Sequence, residues 1–95
     1  MPYLIVTTTN ARRDVQQAID WENKRKPGLA KRFLADLDQI LSVVANTPAI
    51  GSVRYDNVRC ISTHIFQYLV HYIIDDAKSQ IIVLRVLHTS REPIW

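Results

Sequence analysis

Cysteine is almost missing from these 95 residues, and glycine and methionine are nearly as scarce. Cys60 stands alone, so no disulfide can form within the chain. With a single thiol and three scattered histidines, no structural zinc site is expected. No metal or other cofactor is implied elsewhere. Cys60 lies in an apolar segment and is read as a small buried hydrophobe. Two glycines and four prolines leave little room for long flexible linkers. No apolar run approaches the roughly 20 residues of a membrane-spanning helix. Met1-Pro2-Tyr3-Leu4-Ile5-Val6 has neither the basic leader nor the long apolar stretch of a signal peptide. The expectation is a cytoplasmic protein with no membrane partner.

What is present is globular in character. Hydrophobic residues make up 47% of the chain and charged residues 22%, too apolar a balance for a disordered segment. The length suits one domain, 1–95, with a thin core that a bound partner would stabilise further. A formal net charge of +3 suits nucleic acid or an acidic protein surface.

Tyr3 to Thr9 is rich in β-branched residues and predicts a strand. Thr9 or Asn10 offers an N-cap, and the pattern turns helical from Ala11. Ala11, Val15, Ala18 and Ile19 share one helical face, with Trp21 at its edge. Arg12, Arg13, Asp14, Gln16, Gln17 and Asp20 fall largely elsewhere, toward solvent. Glu22 projects near the middle of the apolar face, a local conflict resolved if the helix leaves the core there or a cation pairs with it. Pro27-Gly28 marks a turn. A second helix is predicted from Leu29 to Asn46, with Leu29, Phe33, Leu37, Ile40, Leu41 and Val44 on one broad apolar arc, and Thr47-Pro48 ends it. Strand-like runs follow at Val53–Ser62, Phe66–Asp75 and Gln80–Thr89, the last two joined by a hairpin loop. The order β-α-α-β-β-β predicts an α+β fold: a helical hairpin packed on one face of a mixed, mainly antiparallel sheet.

Several segments then stand out together: Ala11-Arg12-Arg13-Asp14-Val15, Ala18-Ile19-Asp20-Trp21, Pro27-Gly28-Leu29-Ala30, Arg32-Phe33-Leu34 and Leu37-Asp38. Val58-Arg59, Phe66-Gln67-Tyr68-Leu69-Val70-His71-Tyr72 and Val83-Leu84-Arg85-Val86-Leu87-His88-Thr89-Ser90-Arg91 complete the set. In order and spacing, over nearly the whole chain, they resemble the RelE/ParE toxins, specifically the ParE-like branch of bacterial plasmid-stabilisation proteins. The resemblance implies the toxin of a type II toxin–antitoxin system, neutralised by a cognate antitoxin. It also implies growth arrest, by poisoning DNA gyrase in ParE-like members or by cleaving messenger RNA on the ribosome in RelE-like members. One fold hosts both, so the site residues must separate them. A third reading is an antitoxin-binding module without toxicity. A homodimer or a toxin–antitoxin hetero-oligomer fits any of the three.

Metal-free RNA cleavage by 2′-OH attack needs a proton acceptor, a proton donor and cations around the phosphorane-like transition state. Arg59 and His88 are the catalytic candidates under that reading, Arg59 at the position where the family's strand arginine usually sits. Arg85, Arg91 and Trp95 are candidates for contact with a partner or a phosphate. Arg85 is read as sharing a face with Ile81, Val83 and Leu87, where a cation is more often paired than catalytic. Three positions apart on a strand, Arg85 and His88 point to opposite faces unless a bulge intervenes. The chain has no tyrosine after Tyr72 and no lysine pair around Arg54-Tyr55-Asp56, both departures from RNA-cleaving relatives. His64 is read as a loop residue and His71 as an ordinary sheet residue. Arg12, Arg13, Lys24, Arg25, Lys26, Lys31 and Arg32 gather near the helical hairpin, as a solvated face or a docking surface. No aromatic ladder interleaves with them for base stacking.

Overall fold

The computed structural model describes residues 2–89. Its elements run β1 (Leu4–Thr7), α1 (Thr9–Arg25), α2 (Leu29–Asn46), a 3₁₀ turn (Pro48–Ile50), β2 (Ser52–Tyr55), β3 (Val58–Ser62), β4 (Tyr68–Asp75) and β5 (Gln80–His88). The strands form one sheet in the order β1-β5-β4-β3-β2. β1 pairs with β5 in parallel, and every other neighbouring pair is antiparallel. The α+β expectation holds, with α2 at its predicted bounds. Two expectations are corrected. The run Val53–Ser62 is two strands, because Asp56 adopts a left-handed φ of 47° and turns the chain back on itself. The cap of α1 is Thr8, whose hydroxyl accepts from the Ala11 N–H.

Both helices cover one face of the sheet. Ala11, Ala18, Phe33, Leu37, Ile40 and Val44 from the helices meet Tyr68, Val70, Tyr72, Ile81, Val83 and Val86 from β4 and β5. Phe33 is central, its ring 4.6 Å from Tyr68 and 5.9 Å from Phe66. Burying each large apolar side chain is worth about 1.5–3 kcal/mol, so this interface carries most of the fold's stability. A smaller cluster on the opposite face joins Val58, Cys60 and Leu69 with Tyr55, Ile73 and Leu84. Cys60 is buried there as a small hydrophobe, and burial pushes its thiol pKa up.

The helical hairpin turns at Gly28, whose φ of +91° is cheap only for glycine. Gly51 is required for a different reason. A Cβ there would lie 2.6 Å from the Tyr72 hydroxyl, which accepts from the Gly51 N–H and donates to the Pro48 carbonyl. This contact ties the 3₁₀ turn to the middle of β4. Among the described residues, no helix is long and apolar enough to cross a membrane.

Candidate functional site

Each candidate side chain is placed by its strand. Arg59 lies opposite Tyr72 and so shares the helix-side face of the sheet. Its Nη1 donates to the carbonyls of Gly51 at 2.7 Å and Ala49 at 3.2 Å. It therefore clasps the 3₁₀ turn against β3.

Arg85 follows a β-bulge. The register pairs His71 with Arg85 but Tyr72 with Val83, so Leu84 is an extra residue in β5. The bulge resets the alternation: Val86 joins Ile81 and Val83 beneath the helices, while Arg85 lies beside His71 on the other face. The expectation that Arg85 shares a face with Ile81 and Val83 is corrected by that one inserted residue. Beyond the bulge alternation is regular again, and Arg85 and His88 do point to opposite faces. Arg85 is paired. Its Nε and Nη2 donate to Asp14 at 2.7 and 3.0 Å, the two-pronged geometry that suits a guanidinium. Asp14 is buried rather than solvent-facing, since it also accepts from the Val86 N–H at 3.0 Å. Thr8 donates its hydroxyl to the Leu84 carbonyl alongside. Two side chains at the start of α1 thus satisfy the β5 backbone where β1 ends.

His71 is fully buried beneath this corner. Its Nδ1 lies 3.0 Å from the Tyr55 hydroxyl and 3.4 Å from Cys60 Sγ. Burial, and then the Arg85 and Arg54 guanidiniums, hold its pKa below the ordinary histidine value, with Asp14 pulling the other way.

His88 sits at the far end of β5 on the helix-side face, edge-on to Tyr68 at 5.1 Å. There it lines a cavity of about 350 Å³ with Arg25, Leu29, Arg32, Ile65, Phe66 and Gln67. Glu22 is tied to this end of the sheet through Arg25, which lines the cavity. It is buried, accepts from Tyr68 Oη at 2.9 Å and pairs with Arg25 at 2.8 Å. The carboxylate that conflicts with the apolar face of α1 is thus reconciled by a cation and a phenol. Asp36 of α2, also buried, accepts from the backbone N–H groups of His64, Ile65 and Phe66 at 2.9–3.2 Å. Burial works against its charge, but these three donors and the Thr63 hydroxyl outweigh it and hold its pKa below the ordinary carboxylate value.

The structure does not bring Arg59 and His88 together. Their cross-strand neighbours on β4 are Tyr72 and Tyr68, and β3 and β5 flank β4 on opposite sides. That separation is about 13 Å along the strands and about 10 Å across them, roughly 16 Å in all. Arg91 and Trp95 lie outside the described residues. Sequence reasoning missed the carboxylates as organisers. Asp14 and Asp36 both fall three residues after an apolar-face residue, Ala11 and Phe33, and that spacing was the available signal. Among the described residues, no cluster of three histidine, cysteine or acidic groups is placed to hold a metal.

A mixed five-stranded sheet with a helical hairpin on one face is the fold seen in solved RelE/ParE-superfamily assemblies. The chain aligns with the toxin–antitoxin complex RelBE2 from Mycobacterium tuberculosis at 26% identity and a TM-score of 0.66, over 93% of this chain and 99% of that one. It aligns with the chromosomal ParDE toxin–antitoxin system from P. aeruginosa at 14% identity and a TM-score of 0.77, over 90% and 95%. For the intact E. coli RelBE toxin–antitoxin complex the values are 18%, 0.66, 94% and 99%. A comparison with curated protein sequences returned no match. The sequence model describing the ParE toxin of the type II toxin–antitoxin system parDE matches residues 5–93, and the chain belongs to that family.

Proposed function

We propose that this chain arrests bacterial growth by binding DNA gyrase, without chemistry of its own, and that a cognate antitoxin neutralises it. The observation that carries this reading is the dispersal of the cations RNA cleavage would need. Arg59 is engaged by two backbone carbonyls, and Arg85 is held two-pronged by Asp14. His88 stands roughly 16 Å from Arg59 by strand spacing. A phosphorane-like transition state needs its donors within hydrogen-bond reach of one phosphate. Membership in the ParE family supports the same choice. The antitoxin partner is supported by the complexes in which the similar folds were solved.

Ribosome-dependent messenger RNA cleavage is the second reading. It is favoured by His88, a candidate proton-transfer group that lines an open cavity together with Arg25 and Arg32. Pulse labelling in the first minutes after induction separates the two. An early fall in thymidine incorporation with methionine incorporation intact is expected, and Arg59→Ala and His88→Ala should both still arrest growth. An early fall in methionine incorporation, abolished by either substitution, would sink the gyrase reading. Unchanged growth would mean an antitoxin-binding module without toxicity.

A further inference from the structure

The cavity at the end of β5 is built, positively charged and separate from the residues weighed for RNA cleavage, His88 excepted. We propose that it is a recognition pocket for an acidic peptide segment of a partner protein, one that presents a carboxylate beside an apolar side chain. This is independent of how the chain arrests growth.

Charge complementarity is the first argument. Arg25, Arg32 and His88 line the cavity, and both arginines are exposed. The two nearby carboxylates are buried and already engaged, Glu22 by Arg25 and Tyr68 and Asp36 by the backbone of the loop, and among the described lining residues there is no carboxylate. Helix α2 begins at Leu29, on the cavity wall. No side chain caps it, and its first turn holds no acidic residue, so the positive end of an 18-residue helix adds to the field.

The second argument is preorganisation. Asp36 holds the backbone of His64, Ile65 and Phe66 through three hydrogen bonds, which fixes the loop forming one wall. Gln67 follows with a φ of 58°, a left-handed conformation that residues with side chains rarely adopt. The Gln67 carbonyl accepts from the Thr89 N–H, locking the loop to the end of β5. Such strain persists where the surroundings over-determine it, often at binding sites. This rigid loop presents Ile65 at 66% exposure, an apolar side chain kept out of the core beside three cationic or ionisable groups.

The third argument is size and lining. About 350 Å³ lies at the small end of the range for ligand pockets. Its wall mixes Leu29, Ile65 and Phe66 with the cations, so an acidic residue next to a leucine or isoleucine matches both halves. Single-stranded nucleic acid would call for a basic groove with successive aromatic platforms. Among the described lining residues the aromatic rings are Phe66 and the His88 imidazole, the latter packed edge-on against Tyr68, which is no run of successive platforms.

The test is an ¹H–¹⁵N titration of the whole chain with acetyl-Leu-Glu-Leu-amide, acetyl-Leu-Gln-Leu-amide and thymidylyl-thymidine. Saturable shifts at the amides of Leu29, Phe66 and Gln67 are expected with the glutamate peptide. The glutamine peptide should bind about tenfold more weakly, as expected for loss of a charge-assisted contact. Arg32→Ala should weaken the glutamate peptide while leaving the spectrum of the sheet unchanged. Arg25 is left intact because it pairs with Glu22. Equal binding of the two peptides, shifts centred elsewhere, or no saturable shift in the wild type would overturn the proposal. Tighter binding of the dinucleotide would overturn it in favour of nucleic acid.

Discussion

The two ends of the outer half of β5 are built from similar materials and do opposite things. At the bulge, a buried carboxylate on α1, Asp14, meets a guanidinium and a backbone N–H of the same strand. At the His88 end, another buried carboxylate on α1, Glu22, meets Arg25 and the Tyr68 hydroxyl. The first junction closes on itself, with the Arg85 side chain drawn onto the sheet. In the second, the cation turns outward, 55% exposed, toward a cavity with space left in it. A buried acid can therefore serve as a rivet or as a foundation, depending on whether its cation ends against protein or against solvent.

Removing the rivet should have the largest effect. Asp14→Ala strands Arg85 and the Val86 N–H, and should cost about 3 kcal/mol in urea unfolding, the low end for breaking a buried pair because Arg85 is partly exposed. Arg85→Met should cost a comparable amount, since it leaves the buried Asp14 carboxylate with only the Val86 N–H against its charge; a negligible loss would show that the pair does not hold this corner together. Glu22→Gln should cost about 2 kcal/mol by the same measurement, because the buried ion pair becomes a neutral contact.

Asp36→Asn should cost roughly 1–2 kcal/mol and speed amide exchange at His64, Ile65 and Phe66, without touching the Asp14 corner. Wild-type pH dependence sharpens the point. Asp36 and His71 both have folded pKa values below their unfolded ones. Each therefore contributes stability that is fully present above the unfolded pKa and is lost as pH falls through the folded one. Loss from His71 should begin as pH drops below about 6.5, and loss from Asp36 below about 3.8. Asp36→Asn should remove only the acid step. The smallest effect belongs to Arg32→Ala, which should change stability by less than about 0.5 kcal/mol, as for other exposed substitutions. A much larger loss would mean that Arg32 is structural, and would remove it from the pocket argument.

Helix periodicity made most of the fold legible in the sequence. The apolar arc from Leu29 to Val44 predicts α2 at its observed bounds, and Asp75 to Ser79 predicts the last hairpin. The division of Val53–Ser62 was hidden, because Asp56 turns the chain without the glycine that usually announces a left-handed residue. The β5 bulge was hidden too. Leu84 is as apolar as its neighbours, and only the strand register, with His71 opposite Arg85 and Tyr72 opposite Val83, reveals the inserted residue. Of the site, Arg59, Arg85 and His88 could be named from sequence, but not their separation, which depends on strand pairing. The pocket was less legible. Arg25 and Arg32 belong to a basic run that reads equally well as a solvated face, and only the fold sets Phe66 and His88 beside them.

The parallel pairing of β1 with β5 has a consequence for biosynthesis. Leu4 lies opposite Gln80, and Thr8 caps the backbone of Leu84, 76 positions later. At about 5–20 residues per second, a ribosome needs roughly 4–15 s to supply that partner. Until then the first strand has no neighbour in the sheet, Asp14 has no arginine and the His88 wall of the pocket does not exist. A prematurely terminated copy lacking β5 loses all three at once. Truncation should therefore yield inert fragments for the cell's proteases, with no partly active toxin among them.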